Sequence, residues 1–425
     1  MMKIGKAIVV LVLFVAVTYG WAQTKPLTIE ACYRLARQNY PLLKKRDLIT
    51  KASRYSVENA SKLNFPQLTV NGQATYQSQT ISFPEALSGV PGVALPSISK
   101  DQYRIQADVS QQIYDGGSVS NQKELIRANE QIQQQSLEVS LNDLKERVTQ
   151  IYFSILLMEE QLKQNEIRET DLQGALDKAN AALQNGTGFR SNVNELKAEL
   201  INVGMAATEF RANRKAYTEI LSLLIGQPVD ESVLLVLPTQ PATMPDINRP
   251  EVKLFDLRKI TFDIQEKQLK SDYMPRLSAF VQGAYGRPTL NIIEDEFGPW
   301  WIGGLRLNWS LSNLYSLKNN RHLLDINRQS LDINKETFLI NTNLALLQQN
   351  AEIKKYTELM EQDDAVVLLR AAVVQSAKAQ LANGVITVHE YIAKLNAENL
   401  ARQMRILHHL QLLQAQYNYK ITSGY

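Results

Sequence analysis

His389-Glu390 opens like the HExxH pair of zinc hydrolases, where two histidines one helical turn apart hold the metal and the glutamate activates a water. Position 393 is alanine, so the second ligand is missing. His408 and His409 are adjacent; on a helix their rings diverge by about 100°, a poor arrangement for sharing an ion. His322 stands alone in a polar stretch. Gly186 and Gly188 lack the Gly-Lys-Ser/Thr that completes a phosphate loop. Asn185-Gly186-Thr187 fits a glycosylation acceptor, but a tight turn explains the same residues. Asp363-Asp364 suits a solvated helix face. Cys32 is the one cysteine, which excludes an internal disulfide and a thiolate metal cluster. It lies in a helical pattern, where a small buried side chain is the plain reading. No catalytic, cofactor-binding or metal-holding set emerges, and no enzyme is expected.

Charge and the first residues set the compartment. The formal net charge is +3. Lys3 and Lys6 precede an apolar run from Ala7 to Tyr19, followed by Gly20-Trp21-Ala22. A basic start, a run of this length and small residues at −3 and −1 describe a secretory leader over residues 1–22. The run falls short of the ~20 residues that a helical anchor needs. Without Lys3 and Lys6, 44 basic residues face 43 acidic ones. That balance makes no case for nucleic acid, whose binders concentrate basic charge on one face. No later segment is expected to cross a bilayer as a helix, so any insertion must use β-strands.

The elements that position these residues come twice. At an offset of 209, Phe65-Pro66-Gln67-Leu68 meets Met274-Pro275-Arg276-Leu277, and Tyr76 meets Tyr285. At an offset of 198, Asp115 meets Asn313, Asn185-Gly186 meets Asn383-Gly384, and Gly226 meets Gly424. One deletion accounts for the change, so the chain reads as an internal duplication, a pattern sought before all others. The first repeat is expected at 23–226 and the second at 250–425, with a proline-rich connector at 227–249 that blocks continuous helix. Each repeat should hold a helical stretch (Leu27–Leu63, Glu251–Tyr273), two strands, a very long helix, an Asn-Gly break and a returning helix.

The strands alternate. Leu68, Val70, Gly72, Ala74 and Tyr76 oppose Thr69, Asn71, Gln73 and Thr75; Tyr103, Ile105, Ala107 and Val109 oppose Arg104, Gln106, Asp108 and Ser110. In the second repeat Leu277, Ala279, Val281, Gly283 and Tyr285 oppose Ser278, Phe280, Gln282 and Ala284, and Leu305, Leu307, Trp309 and Leu311 oppose Arg306, Asn308 and Ser310. Such period-2 segments suit a membrane strand, apolar toward lipid and polar toward a watery lumen. The lumen set is then Arg104, Gln106, Asp108, Gln282, Arg306 and Asn308. Tyr76, Tyr103, Tyr285, Trp300 and Trp301 fall at the ends joining the outward loops, where rings favour the membrane boundary. A half-buried sheet of a soluble domain shows the same alternation. Four strands leave unpaired edges that lipid does not tolerate, so strands that do insert must be shared among chains; three copies give twelve, an even number.

Asp115 to Asn185 spans 70 residues, as does Asn313 to Asn383; a helix filling either would reach roughly 100 Å. Leu137, Leu141, Leu144, Val148, Ile151, Ile155, Met158 and Leu162 alternate spacings of four and three, a coiled-coil seam.

Over its mature length the sequence resembles the TolC-like outer membrane efflux proteins. The resemblance is carried by LTIEACYRLARQNYPLL, the FPQL and MPRL strand entries, the IYDGG turn, NGTGFRSNV, NGVITVHEY and the closing YKITSGY. It implies a membrane α+β protein: four strands per chain in a trimeric 12-stranded barrel, continued by an α-helical coiled-coil tunnel. It implies an exit duct for tripartite efflux or type I secretion, in the outer membrane and extending into the periplasm. The partners would be two further copies, a periplasmic adaptor (membrane fusion) protein, an inner-membrane RND or ABC-type transporter, and outer-membrane lipid. Asn185, Gly186, Gly188, Val193, Asn383, Gly384 and Val388 would meet the adaptor. Glu390 matches the first position of an acidic aperture ring, whereas Ala393 departs from the second; three such carboxylates would disfavour anions. A capping carboxylate at the helix start is the plainer reading of Glu390. A soluble periplasmic coiled-coil scaffold or adaptor is the competing function.

Overall fold

The computed structural model describes residues 26–81, 98–230, 233–241, 246–291 and 295–425; the expected leader lies outside them. In chain order the elements are α1 (Ile29–Asn39), a 3-10 turn (Pro41–Lys44), α2 (Lys45–Lys62), β1 (Gln67–Tyr76), β2 (Asp101–Tyr114), α3 (Ser118–Gln184) and α4 (Arg190–Ile225). Then come α5 (Pro250–Asp272), β3 (Arg276–Arg287), β4 (Gly298–Asn308), a 3-10 turn (Leu311–Asn313), α6 (Leu314–Ala382) and α7 (Val388–Ser423). The order helix, strand, strand, long helix, returning helix occurs twice. The chain divides into two compact units: residues 1–36, 148–239 and 362–410 form one, and 37–147, 240–361 and 411–425 the other.

The second of these units holds the sheet, a four-stranded antiparallel meander in the order β1-β2-β3-β4. Asp115 sets the exit from β2, because its carboxylate accepts from Gly117 N at 2.8 Å and Val119 N at 2.7 Å, satisfying a free donor at the start of α3. Gly116 has φ of 71°, and a Cβ there would stand 2.7 Å from that of Met274, so the turn needs glycine twice over. Three boundaries differ from expectation. The helical stretch Leu27–Leu63 is interrupted, since Pro41 supplies no backbone donor and holds Tyr40 extended at ψ 123°. β2 is longer than its alternating core, with a bulge between Gln112 and Tyr114. β4 stops at Asn308: Trp309 donates to the Tyr273 carbonyl at 3.1 Å, and Leu311 enters the turn to α6.

The other unit is built on two helical hairpins. Leu172, Leu176, Val193, Leu196 and Val203 of α3 and α4 pack with Val374, Ala377, Val388, Tyr391, Ile392 and Leu395 of α6 and α7. Each fully buried leucine here contributes about 1.5–3 kcal/mol. Tyr152 is wholly buried and its hydroxyl lies 2.8 Å from Leu27 O and 2.6 Å from Val236 O, pinning the connector to the start of the chain beside the parallel bridge Leu27↔Leu235. Cys32 is buried as expected, and burial, aided by Glu30, pushes its thiol up to about 12. Along the predicted seam Leu137, Leu141, Leu144, Val148 and Ile155 are buried, while Ile151, Met158 and Leu162 are half-buried. By length and composition alone α6 is apolar enough to cross a bilayer, with a window of mean hydropathy 1.3. Val374 and Ala377 of α6 lie in the hairpin core.

Candidate functional site

Strand register decides what each face of the sheet offers. Across the strands Leu68, Val109, Val281 and Gly303 align, as do Val70, Ala107, Gly283 and Trp301. With Ile105, Tyr285, Leu305 and Leu307 they make one apolar face, most of it open to solvent in the single chain. The opposite face aligns Thr69, Asp108, Gln282 and Ile302, then Asn71, Gln106, Ala284 and Trp300. All six residues expected on a polar wall (Arg104, Gln106, Asp108, Gln282, Arg306 and Asn308) therefore share one side. Asp108 accepts from Gln106 at 2.7 Å and Asn71 at 3.2 Å; Arg104 donates to Gln73 at 3.0 Å. The Arg306 guanidinium lies 4.5 Å over the Phe280 ring, and that ring rests against Gly304.

Among the expected boundary aromatics, Tyr76, Tyr103, Tyr285 and Trp301 lie on the apolar face and are exposed. Trp300 is the correction: neighbouring residues of a strand face opposite ways, so its ring lies with the polar residues. Sequence reasoning missed a cluster beside these rings. Asp295 accepts from the Ser99 hydroxyl at 2.5 Å and from Ser99 N at 2.9 Å, which holds its carboxyl below the usual carboxylate range. Arg287 pairs with Asp101 at 2.5 Å and stacks on Phe297, which itself stacks between Tyr103 and Tyr285. Loop residues of this kind carry no periodicity that could have announced them.

The two hairpin tips repeat one turn. α3 and α6 end on Gly186 (φ 73°) and Gly384 (φ 69°), whose amides donate to Leu183 O and Leu381 O at 3.1 Å each. Thr187 N and Val385 N reach back to Ala182 O and Gln380 O, closing helix ends in the left-handed manner glycine permits. Asn185, Gly186, Asn383 and Gly384 are exposed at the turns, and Gly188 is half-exposed. Val193 and Val388 are each only 4% exposed, in the core beneath. Those two are corrected: they fix the tips and have no surface for a partner. Phe189 and Val385, within the tip segments though not singled out there, are 73% and 69% exposed and rim a cavity of about 750 Å³ between the tips, with Ala175, Ala179 and Ala182 in its wall.

Glu390 closes a capping box. Its Oε2 accepts from Thr387 N at 2.8 Å and Thr387 Oγ1 at 3.1 Å, while Glu390 N donates to Thr387 Oγ1 at 3.1 Å. These bonds from Thr387, backbone first, hold the carboxyl below its usual range. Charged contacts tie the hairpins together: Arg168 bonds both Glu199 and, at 2.6 Å, Asn396; Lys378 meets Asp171 at 3.1 Å and His389 meets Glu195 at 2.8 Å. Asp364 is exposed as a solvated face requires and meets Arg405 at 2.5 Å, whereas Asp363 is half-buried against His408 at 2.6 Å. Partners in a helical hairpin lie about equally far from its tip, a relation that could have found both. Among the described residues no group of three His, Cys, Asp or Glu is placed to hold a metal.

Residues 32–227 match the model of the outer membrane efflux protein family. The match takes in nearly half of the chain, from α1 to the end of α4. Solved structures share the fold of the chain over almost its whole length. CusC, whose structural description concerns transmembrane channel formation, superposes with a TM-score of 0.71 at 14% identity, over 93% of this chain and 92% of that one. The CmeC outer membrane channel of Campylobacter jejuni gives 0.66 at 12%, over 93% and 85%. The MtrE outer membrane channel of Neisseria gonorrhoeae, in its open state, gives 0.66 at 13%, over 93% and 89%. No curated protein matches the sequence.

Proposed function

We propose that three copies of this chain close into a single twelve-stranded barrel in the outer membrane, continued through the periplasm by their helices. The duct passes substrates received from an inner-membrane transporter of RND or ABC type, with a periplasmic adaptor docked at the hairpin tips. The observation that carries this is the sheet: one continuous apolar face and two unpaired edge strands, β1 and β4, in a chain whose residues 32–227 match the outer membrane efflux protein model. Lipid forbids open edges, so closure has to come from further copies. A second feature supports it. On α6, Ile326, Ile333, Ile340 and Leu347 recur every seventh residue, and each is more than half exposed in the single chain, a seam awaiting another helix.

Fractionation of cells expressing the protein tests this. Heat-labile trimers in the outer-membrane fraction, cross-linking through a cysteine at Val385 to an adaptor, support the duct. A soluble periplasmic monomer refutes it and favours the scaffold alternative.

A further inference from the structure

The polar face of the sheet carries four charges: Arg104, Arg276 and Arg306 against the single carboxylate Asp108. Their compensation is unequal. Arg276 pairs with Asp272 at 3.5 Å, outside the strands. Asp108 is held by the side-chain amides of Gln106, Asn71 and Gln282, and Arg306 attracts it from beyond ion-pair distance. Arg104 donates to the neutral amide of Gln73, and Arg306 lies over Phe280; among the described residues neither has a carboxylate within ion-pair distance. β1 contributes Gln67, Thr69, Asn71, Gln73 and Thr75 to this face, none of them charged.

We infer that Arg104 and Arg306 make the barrel wall an anion-preferring collar, so that anionic solutes are favoured over cationic ones of equal size in this segment of the duct. The inference rests on the duct reading, which turns this face toward the lumen. In a ring of three chains, Arg104 forms a collar near the outer loops and Arg306 another near the helices, with Asp108 between them. Rings of arginine favour anions by supplying fixed positive potential and donors where the solute is partly dehydrated. The plainer role of Arg306, shielding the Phe280 ring that covers Gly304, leaves its charge in place and does not compete with this one.

The collar is open to test from outside, whatever the state of the tips. Ser278 faces Arg306 across the β3–β4 pair, and Ser278→Cys puts a thiol beside it. The native Cys32 is buried with its thiol raised to about 12, so it stays silent. Assembled trimers in outer-membrane vesicles are reacted with an anionic and a cationic methanethiosulfonate, each rate normalised to that with free mercaptoethanol. A unit charge about 6 Å away in water changes each rate about threefold, hence the ratio of the two about tenfold. The ratio should favour the anionic reagent, fall about tenfold with Arg306→Gln, fall further with Arg104→Gln added, and rise with Asp108→Asn. A ratio favouring the cation, or one indifferent to both arginines, overturns the collar and leaves the duct standing. Trimers in which neither reagent reaches Ser278→Cys overturn the duct reading itself, and the collar with it.

Discussion

Two substitutions one residue apart separate a membrane strand from a soluble one. Val281 is at the middle of β3, between Val109 and Gly303, and is 52% exposed. Gln282 is next along the strand, between Asp108 and Ile302 on the other face. In a barrel, Val281→Arg carries a guanidinium to the lipid midplane at about 2–4 kcal/mol per chain, or roughly 6–12 kcal/mol for three chains in one barrel. Gln282→Arg enters a watery wall beside the Asp108 carboxylate and should cost little. The assay is the yield of heat-labile trimer in the outer-membrane fraction, read on unboiled and boiled gels. Val281→Arg should lower it at least tenfold, and Gln282→Arg should leave it within twofold of the parent. Equal yields, or the reverse order, would refute the assignment of faces. In a soluble sheet packed on its own core, Val281→Arg would instead leave a misfolded periplasmic chain, which proteolysis in the soluble fraction would reveal.

Ile333→Asp, on the exposed stripe of α6, should leave helix content unchanged and shift trimer to monomer in analytical ultracentrifugation in detergent. Gly384→Ala strains a left-handed turn in open space, a loss of about 1–2 kcal/mol; Gly424→Ala has φ of 98° and also collides with the Asn248 carbonyl, so its melting temperature should fall further. Thr387→Ala removes the cap of α7 at a cost of about 1 kcal/mol, seen as faster amide exchange in its first turn. The Glu390 carboxyl is held below its usual range, so its cap is fully present above the ordinary carboxylate pKa and is lost as pH falls through the lowered one. Protection of that turn, its exchange taken relative to the intrinsic rate at each pH, should therefore fall in acid, and Glu390→Gln, which keeps an acceptor, should remove that change in protection.

What the sequence exposed and what it hid follow from range. The alternation of Leu68, Val70 and Gly72 and the four-three spacing of Leu137, Leu141 and Leu144 are local periodicities, and strands and seam lie where those periods put them. Asn185-Gly186 and Asn383-Gly384 are punctuation of the same local kind, and both mark helix ends. Val193 and Val388 show where local reading fails: lying near a tip, they look like surface until a second hairpin covers them. The contact of Arg168 with Asn396 and that of Ser99 with Asp295 join residues far apart in sequence, and no period links them. Pro41 was local and legible, yet the apolar pattern on both sides of it concealed the break.

The unpaired β1 and β4 edges also bear on how the cell survives making this protein. In the proposed trimer a polypeptide owns a third of the wall and could not perforate anything by itself, so newly exported molecules would pose no leak while they wait. Permeability would arise in a single cooperative event whose rate climbs steeply with concentration. Expression level would then act as a threshold on the number of open conduits.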